Sequence, residues 1–329
     1  MTPIAPHISD FLRERLPQQR GASEHTCDSY AYAFQLLFQF ASQRLQTTPS
    51  SLYLEQLDAP LIMDFLHHLE TERHNSPRTR NARLVAIKSF MRFIEYRVPA
   101  LLEHSRRILA IPAKRTETRL IHYLSLGEMQ ALLNAPALQR RDGIRDRAML
   151  HLCCCAGLRV SELVGLPLQA LQWQPSPNVR IQGKGRRERV LPLWKQTATD
   201  LRAWLALRGA LPVPELFVNA RNQPMTRSGF EHILKKHVQI AAKQCPSLTQ
   251  KRISPHSLRH GAAMAVLQAT HDIRKVSLWL GHADIQTTEV YLHADPTEKL
   301  ETMSAVVPPT LKRGQFRAPD KLIASLRGD

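Results

Sequence analysis

No run in the 329-residue sequence approaches the roughly 18 consecutive apolar positions that a membrane span requires. Met1 to Arg20 lacks the basic start and apolar core of a secretory signal. The expectation is a cytoplasmic protein with no membrane partner. Cysteine is scarce, five in the whole chain, and that argues against a disulfide framework. Cys153, Cys154 and Cys155 are consecutive, so on a helix they point in three directions and cannot form a zinc knuckle. With the isolated Cys27 and Cys245 they read as buried apolar thiols. Also missing are a GxxxxGK[ST] phosphate loop, an internal repeat and any low-complexity tract. His256 and His260 stand four apart, as in a zinc protease helix, but Ser257 occupies the position where that helix needs Glu. Zinc proteolysis and NTP hydrolysis drop out. Neither metal nor cofactor is expected.

What the chain has in excess is positive charge, 45 Lys+Arg against 28 Asp+Glu, for a formal net charge of +17. The excess is uneven. Residues 1–110 carry 13 basic and 11 acidic side chains, whereas residues 111–329 carry 32 and 17. A surface of this kind suits a polyanion, because each phosphate it neutralises releases counterions.

Length favours two domains. In residues 1–110, Tyr30, Phe34, Leu37, Phe38, Ala41 and Leu45 recur at helical spacing, as do Leu84, Ile87, Met91 and Ile94. Leu61–Glu70 adds a shorter amphipathic piece and Ser9–Leu16 a weak one. Ser23 and Ser76 are candidate N-caps. Arg78, Arg80, Arg83, Lys88 and Arg92 make a basic face that is either solvated surface or groove-facing. Residues 111–120 break the period with Pro112, Lys114, Arg115 and Arg119, as an extended linker does. A second domain, 121–302, opens on a capping box at Ser125–Glu128. A helix from about Asp142 to Ala156 ends at Gly157, suited to a left-handed cap. Val179 and Ile181 alternate before Gly183-Lys184-Gly185-Arg186-Arg187, and Val190 and Leu191 follow, which predicts a strand, a tight turn and a returning strand. Helical patterns resume at Thr197–Leu207, Gly229–Ala242, Pro255–Ala269 and Ile273–Leu280. Residues 303–329 form a basic, proline-bearing tail.

Four stretches carry chemistry in combination: Gly157-Leu158-Arg159-Val160-Ser161-Glu162-Leu163; the Lys184 turn; His256-Ser257-Leu258-Arg259-His260; and Leu280-Gly281-His282 with Thr287-Thr288 and Tyr291. Each alone has a bland reading, as a local ion pair, a tight turn or a satisfied core histidine. In this order and at these intervals they resemble the tyrosine recombinase (phage integrase) family, and among it the compact XerC/XerD-like members. The likeness spans about Leu120 to Glu301, and the helical part is similar to the family's N-terminal core-binding domain.

That resemblance implies a mainly α fold with a small β-sheet, a helical core-binding domain followed by a mixed α+β tyrosine recombinase catalytic domain. It implies Arg159 and Arg259 on the scissile phosphate, Lys184 as proton donor, His256 as the first histidine, His282 at the second position and Tyr291 as nucleophile. Glu162 takes the acidic position that props the first arginine, and His260 is a supporting hydrogen-bonding residue. Arg78, Arg80, Arg83, Lys88, Lys114, Arg115, Arg119, Arg186 and Arg187 are DNA-contact candidates. The implied partners are double-stranded DNA with inverted-repeat recombination sites and three further subunits in a tetramer, identical or of a paired related recombinase. The implied reaction breaks and rejoins DNA strands through a 3′-phosphotyrosyl link and a Holliday junction, in integration, transposition or resolution. The tail departs from the Xer pattern; its Leu322, Ile323 and Leu326, at helical spacing, are candidates for docking on a neighbouring subunit. Two other readings stay open: a type IB topoisomerase-like enzyme and a catalytically silent DNA-binding protein of the same fold.

Overall fold

The structure, a computed structural model, describes residues 1–116, 123–183, 188–282 and 285–294. Arg119, Lys184, Arg186, Arg187 and the tail residues Leu322, Ile323 and Leu326 lie outside these. The chain divides into two units, Met1–Thr118 and Arg119–Asp329.

The first unit is helical: α1 (Ile4–Asp10), α2 (Glu24–Leu45), α3 (Ala59–Thr71), α4 (Pro77–Arg97) and α5 (Leu102–Leu109). Where the sequence predicts only a weak helix, α1 runs on as a π-helical stretch, Phe11–Gln19. Pro17 sits inside that stretch; with no N–H to give, it cannot belong to a regular α-helical ladder. Phe11, Phe34 and Phe90 lock α2, α4 and the π-helical stretch together, their ring centroids 5.3 to 6.1 Å apart. Around them close Leu37, Ile62, Leu66, Ile87 and Ile94, all from the helical stripes legible in the sequence. Ser76 caps α4, its hydroxyl accepting from the Thr79 N–H. Ser23 takes the N-cap position of α2 without that bond; its hydroxyl meets the Thr26 hydroxyl instead.

Two expectations change here, one for a basic-face arginine and one for the start of the linker. Arg80 is buried, and its guanidinium donates to the Pro112 carbonyl at 3.1 Å. Its neighbour Asn81 exchanges two hydrogen bonds with the Lys114 backbone, and Ile111 is buried in the core. Residues 111–114, expected as the start of an extended linker, are fastened to α4, and Arg80 is part of the fastening rather than an outward charge.

The second unit begins with α6 (Leu126–Asn134), whose capping box closes as the sequence predicts: Ser125 and Glu128 exchange bonds of 2.8 and 3.2 Å. Next come α7 (Arg141–Ala156) and α8 (Val160–Val164), then a three-stranded antiparallel sheet of β1 (Leu171–Gln172), β2 (Asn178–Gln182) and β3 (Glu188–Pro192). The register pairs Val179 with Leu191 and Ile181 with Arg189. Five further helices follow among the described residues: α9 (Lys195–Arg208), α10 (Arg227–Ala241), α11 (Pro255–Thr270), α12 (Ile273–Leu280) and α13 (Gln286–Ala294). Most of α7 is buried, which places Cys153 and Cys154 in the core, where desolvation drives their thiols well above the ordinary range. All five cysteines are free. Among the described residues no helix is long and apolar enough to cross a membrane.

Candidate active site

Helix α7 stops because Gly157 turns left-handed, with φ +59°. Only glycine suits the place on two counts, since a β-carbon there would also come within 2.7 Å of the Leu280 side chain. The turn swings the chain so that Arg159 becomes the N-cap of α8. Its backbone N–H and its guanidinium both donate to Glu162, at 2.9 and 2.7 Å. The Glu162 side chain is only 5% exposed, and that burial alone would raise its pKa. Two donors from Arg189 on β3, at 3.2 and 2.8 Å, together with the Arg159 bonds, outweigh burial and hold the carboxyl below the usual carboxylate range.

Arg259 rises from the first turns of α11 into the interior. Its guanidinium donates to the Gly157 carbonyl and, at 2.8 Å, to the Leu280 carbonyl. Both acceptors belong to helix C-terminal ends, α7 and α12, where the partial negative charge favours a cation. Burial, then the neighbouring Arg159, pulls the guanidinium down to about 10, so it remains charged at neutral pH.

Gly281, again left-handed at φ +63°, ends α12 and turns His282 inward. His282 Nδ1 lies 2.8 Å from the buried Thr288 hydroxyl. Burial first, then Arg259 and Arg159, push His282 down to about 4, so its ring is neutral at pH 7. Tyr291 comes from α13 and is 2% exposed. Its hydroxyl stands 2.9 Å from His260 Nδ1. Burial, then His256 and Arg259, hold His260 at about 4. Burial raises the Tyr291 phenol, and the Arg259 and Arg159 charges pull it only part of the way back.

The structure therefore gathers Arg159, Glu162, Arg259, His260, His282 and Tyr291. His256, one turn before His260 on α11, is exposed and does not occupy the tyrosine hydroxyl; its ring lies 6.5 Å from that of His260. Lys184 falls outside the described residues. Sequence reasoning missed Arg189. A signal existed: strict alternation from the buried Leu191 puts Arg189, not Val190, on the inward face of β3.

The other basic candidates are dispersed. Arg78 and Arg115 are exposed. Arg83 donates to the Ser29 carbonyl and lies 4.8 Å over the Tyr32 ring. Lys114 pairs with Glu70 at 2.7 Å. Lys88 is half-buried, and desolvation followed by Arg92 and Arg80 lowers its pKa.

Residues 122–298 match the phage integrase family, and residues 8–97 match the phage integrase N-terminal SAM-like domain. The chain is 41% identical over 325 residues to a putative integrase/recombinase, y4rC, of Sinorhizobium fredii, covering 98% of this chain and 97% of that one. It is 32% identical over 310 residues to the tyrosine recombinase XerC of Pelobacter propionicus, covering 94% and 97%. The fold resembles the XerH site-specific recombinase bound to its palindromic difH substrate (TM-score 0.68, 21% identity, 89% and 83% covered). It also resembles a lambda integrase fragment dimer on a core site (TM-score 0.65, 12% identity, 96% and 100% covered). From the sequence relatives and the match across its second unit, this chain belongs to the phage integrase family and is a tyrosine-type site-specific recombinase.

Proposed function

We propose that the protein cleaves and rejoins double-stranded DNA at inverted-repeat sites through a 3′-phosphotyrosyl intermediate on Tyr291, exchanging strands by way of a Holliday junction. The observation that carries this reading is the setting of Tyr291: a buried phenol on which two guanidinium groups, Arg259 and Arg159, act to favour the charged form. A carboxylate-lined pocket would repel a phosphodiester; this one attracts it.

Tyrosine is a poor nucleophile at neutral pH. With an ordinary pKa near 10 it is only about 0.1% phenolate at pH 7, a handicap of roughly 4 kcal/mol. Arg159 and Arg259 offset this by placing planar forks on the non-bridging oxygens, where charge grows in the transition state. The Tyr291 oxygen attacks phosphorus, the bond to the 5′ oxygen breaks, and that oxygen leaves as a hydroxyl with a proton from Lys184. We assign the tyrosine's own proton to His260, which already faces the hydroxyl, rather than to the exposed His256. His256, at the exposed rim, meets the incoming phosphate, and His282 hydrogen-bonds a phosphate oxygen. Proton transfer from a raised phenol to an imidazole held at about 4 is steeply uphill. A bound phosphodiester changes that, because its negative charge favours the imidazolium.

The ester energy stays in the phosphotyrosyl bond, so religation to another strand needs no ATP. We further propose a tetramer on two synapsed sites, of this chain alone or with a related recombinase, working in the cytoplasm on the nucleoid. Integration, transposition and resolution all use this chemistry. A nicked duplex carrying the site tests the reading. The enzyme should trap as a covalent adduct and join strands between two duplexes. An adduct with relaxation of supercoils and no transfer between duplexes would indicate the topoisomerase-like reading, and binding without adduct the silent one.

A further inference from the structure

Beneath Arg159 lies an ion cluster that the strand-cleavage chemistry leaves unused. Arg189 is inward on β3, with its side chain 9% exposed beside Glu162 at 5%. Its two terminal nitrogens each meet one carboxylate oxygen, a fork-to-fork pair at 3.2 and 2.8 Å. The same two oxygens take the Arg159 guanidinium and backbone N–H. One carboxylate therefore serves two guanidinium groups. The Arg189 side chain also fills the space beside Gly281: a β-carbon there would stand 2.9 Å from Arg189 Cδ and 3.2 Å from a terminal nitrogen. The next residue is His282.

We infer that Arg189 is a positioning residue of the cleavage site, acting through Glu162 on Arg159 and through Gly281 on the turn that presents His282.

The first part of the argument is charge. Arg159 paired with Glu162 alone would be a neutral couple, offering a phosphate little attraction. With Arg189 added, two cations share one anion, and the cluster keeps a net positive charge on the Arg159 side. The second part is geometry. A carboxylate held from beneath by a bidentate guanidinium cannot follow Arg159 when a phosphate pulls on it, so the Arg159 fork stays aimed. A misplacement of about 1 Å at a reacting centre costs up to ~100-fold in rate. The third is steric. Gly281 is glycine for its left-handed φ and for the room that Arg189 takes, which makes the His282 turn a surface packed on the same cluster.

This inference rests on the cleavage reading above, and the experiment separates the two. Single-turnover adduct formation on a nicked site is measured at saturating DNA, with DNA affinity measured alongside, for the wild type, Arg189→Met, Arg159→Lys and the double variant. Wild-type adduct that disappears in Tyr291→Phe upholds cleavage by itself. Given that, Arg189→Met should slow the adduct step about 10- to 100-fold while Kd changes less than about 3-fold. Because Arg189 acts mainly through Arg159, with the His282 turn a lesser route, the double variant should be slower than Arg159→Lys alone by far less than the Arg189→Met factor. Arg189→Lys, which keeps charge and loses the fork, should be slowed by a smaller factor and serves if the Met variant fails to fold. A wild-type rate in Arg189→Lys, or defects in Arg189→Met and Arg159→Lys that multiply, overturns the inference.

Discussion

His260 Nδ1 lies 2.9 Å from the Tyr291 hydroxyl, so in the structure the proposed nucleophile is hydrogen-bonded to a histidine that burial keeps neutral. The pair joins α11, which also carries Arg259, to α13. It sets both the resting state of the site and the way the fold answers to pH.

The first prediction is a pH dependence of stability. His260 and His282 both have folded values near 4, below the unfolded value of about 6.5. Between those limits the unfolded chain binds more protons than the folded one, so stability falls as pH drops from about 6.5 towards 4. Urea midpoints at pH 7 and pH 5 should show the loss, and His282→Asn should reduce it. A variant with the same pH-dependent loss as the wild type would mean that His282 is not held neutral.

Arg259 is fixed by two carbonyls, each taking a different terminal nitrogen of its guanidinium, and is the second arginine proposed to face the phosphate. Arg259→Lys keeps the charge and loses the fork. Cleavage at saturating DNA should slow at least ~100-fold, the scale for losing one transition-state donor. A single-turnover rate within a few-fold of wild type would remove Arg259 from the phosphate.

Gly157→Ala places a β-carbon on a left-handed residue and against the buried Leu280 side chain. The backbone conformation alone costs about 1–2 kcal/mol. Thermal and urea unfolding should register that loss. Because the Gly157 carbonyl anchors Arg259, cleavage should slow more than DNA binding weakens. Unchanged stability would mean that the helix end relaxes without cost.

Much of this was legible in the sequence because the signals were local. The stripes of α2 and α4, the Ser125–Glu128 box and the Gly157 cap each need only a few neighbouring residues to define them. The site motifs were visible for the same reason: Arg159 and Glu162 share one helical turn, as do His256 and Arg259. What escaped depends on partners far along the chain. His256 and His260 both lie on the side of α11 that bears the site, and only the packing of α13 decides which of them meets Tyr291. Arg80 looked like surface until residues 111–114 returned to lie across it. β1 is two residues long, too short for alternation to register, and it exists because β2 pairs with it.

The most direct test of the central claim is the identity of the residue joined to DNA. The protein is trapped on a nicked site and digested, and the peptide bearing the nucleotide is sequenced by mass spectrometry. A phosphotyrosyl bond to the 3′ end at Tyr291, with no adduct from Tyr291→Phe although it still binds the same DNA, is the predicted result. An adduct formed by the Phe variant, or one mapped to Tyr30, Tyr32, Tyr53, Tyr96 or Tyr123, would contradict it.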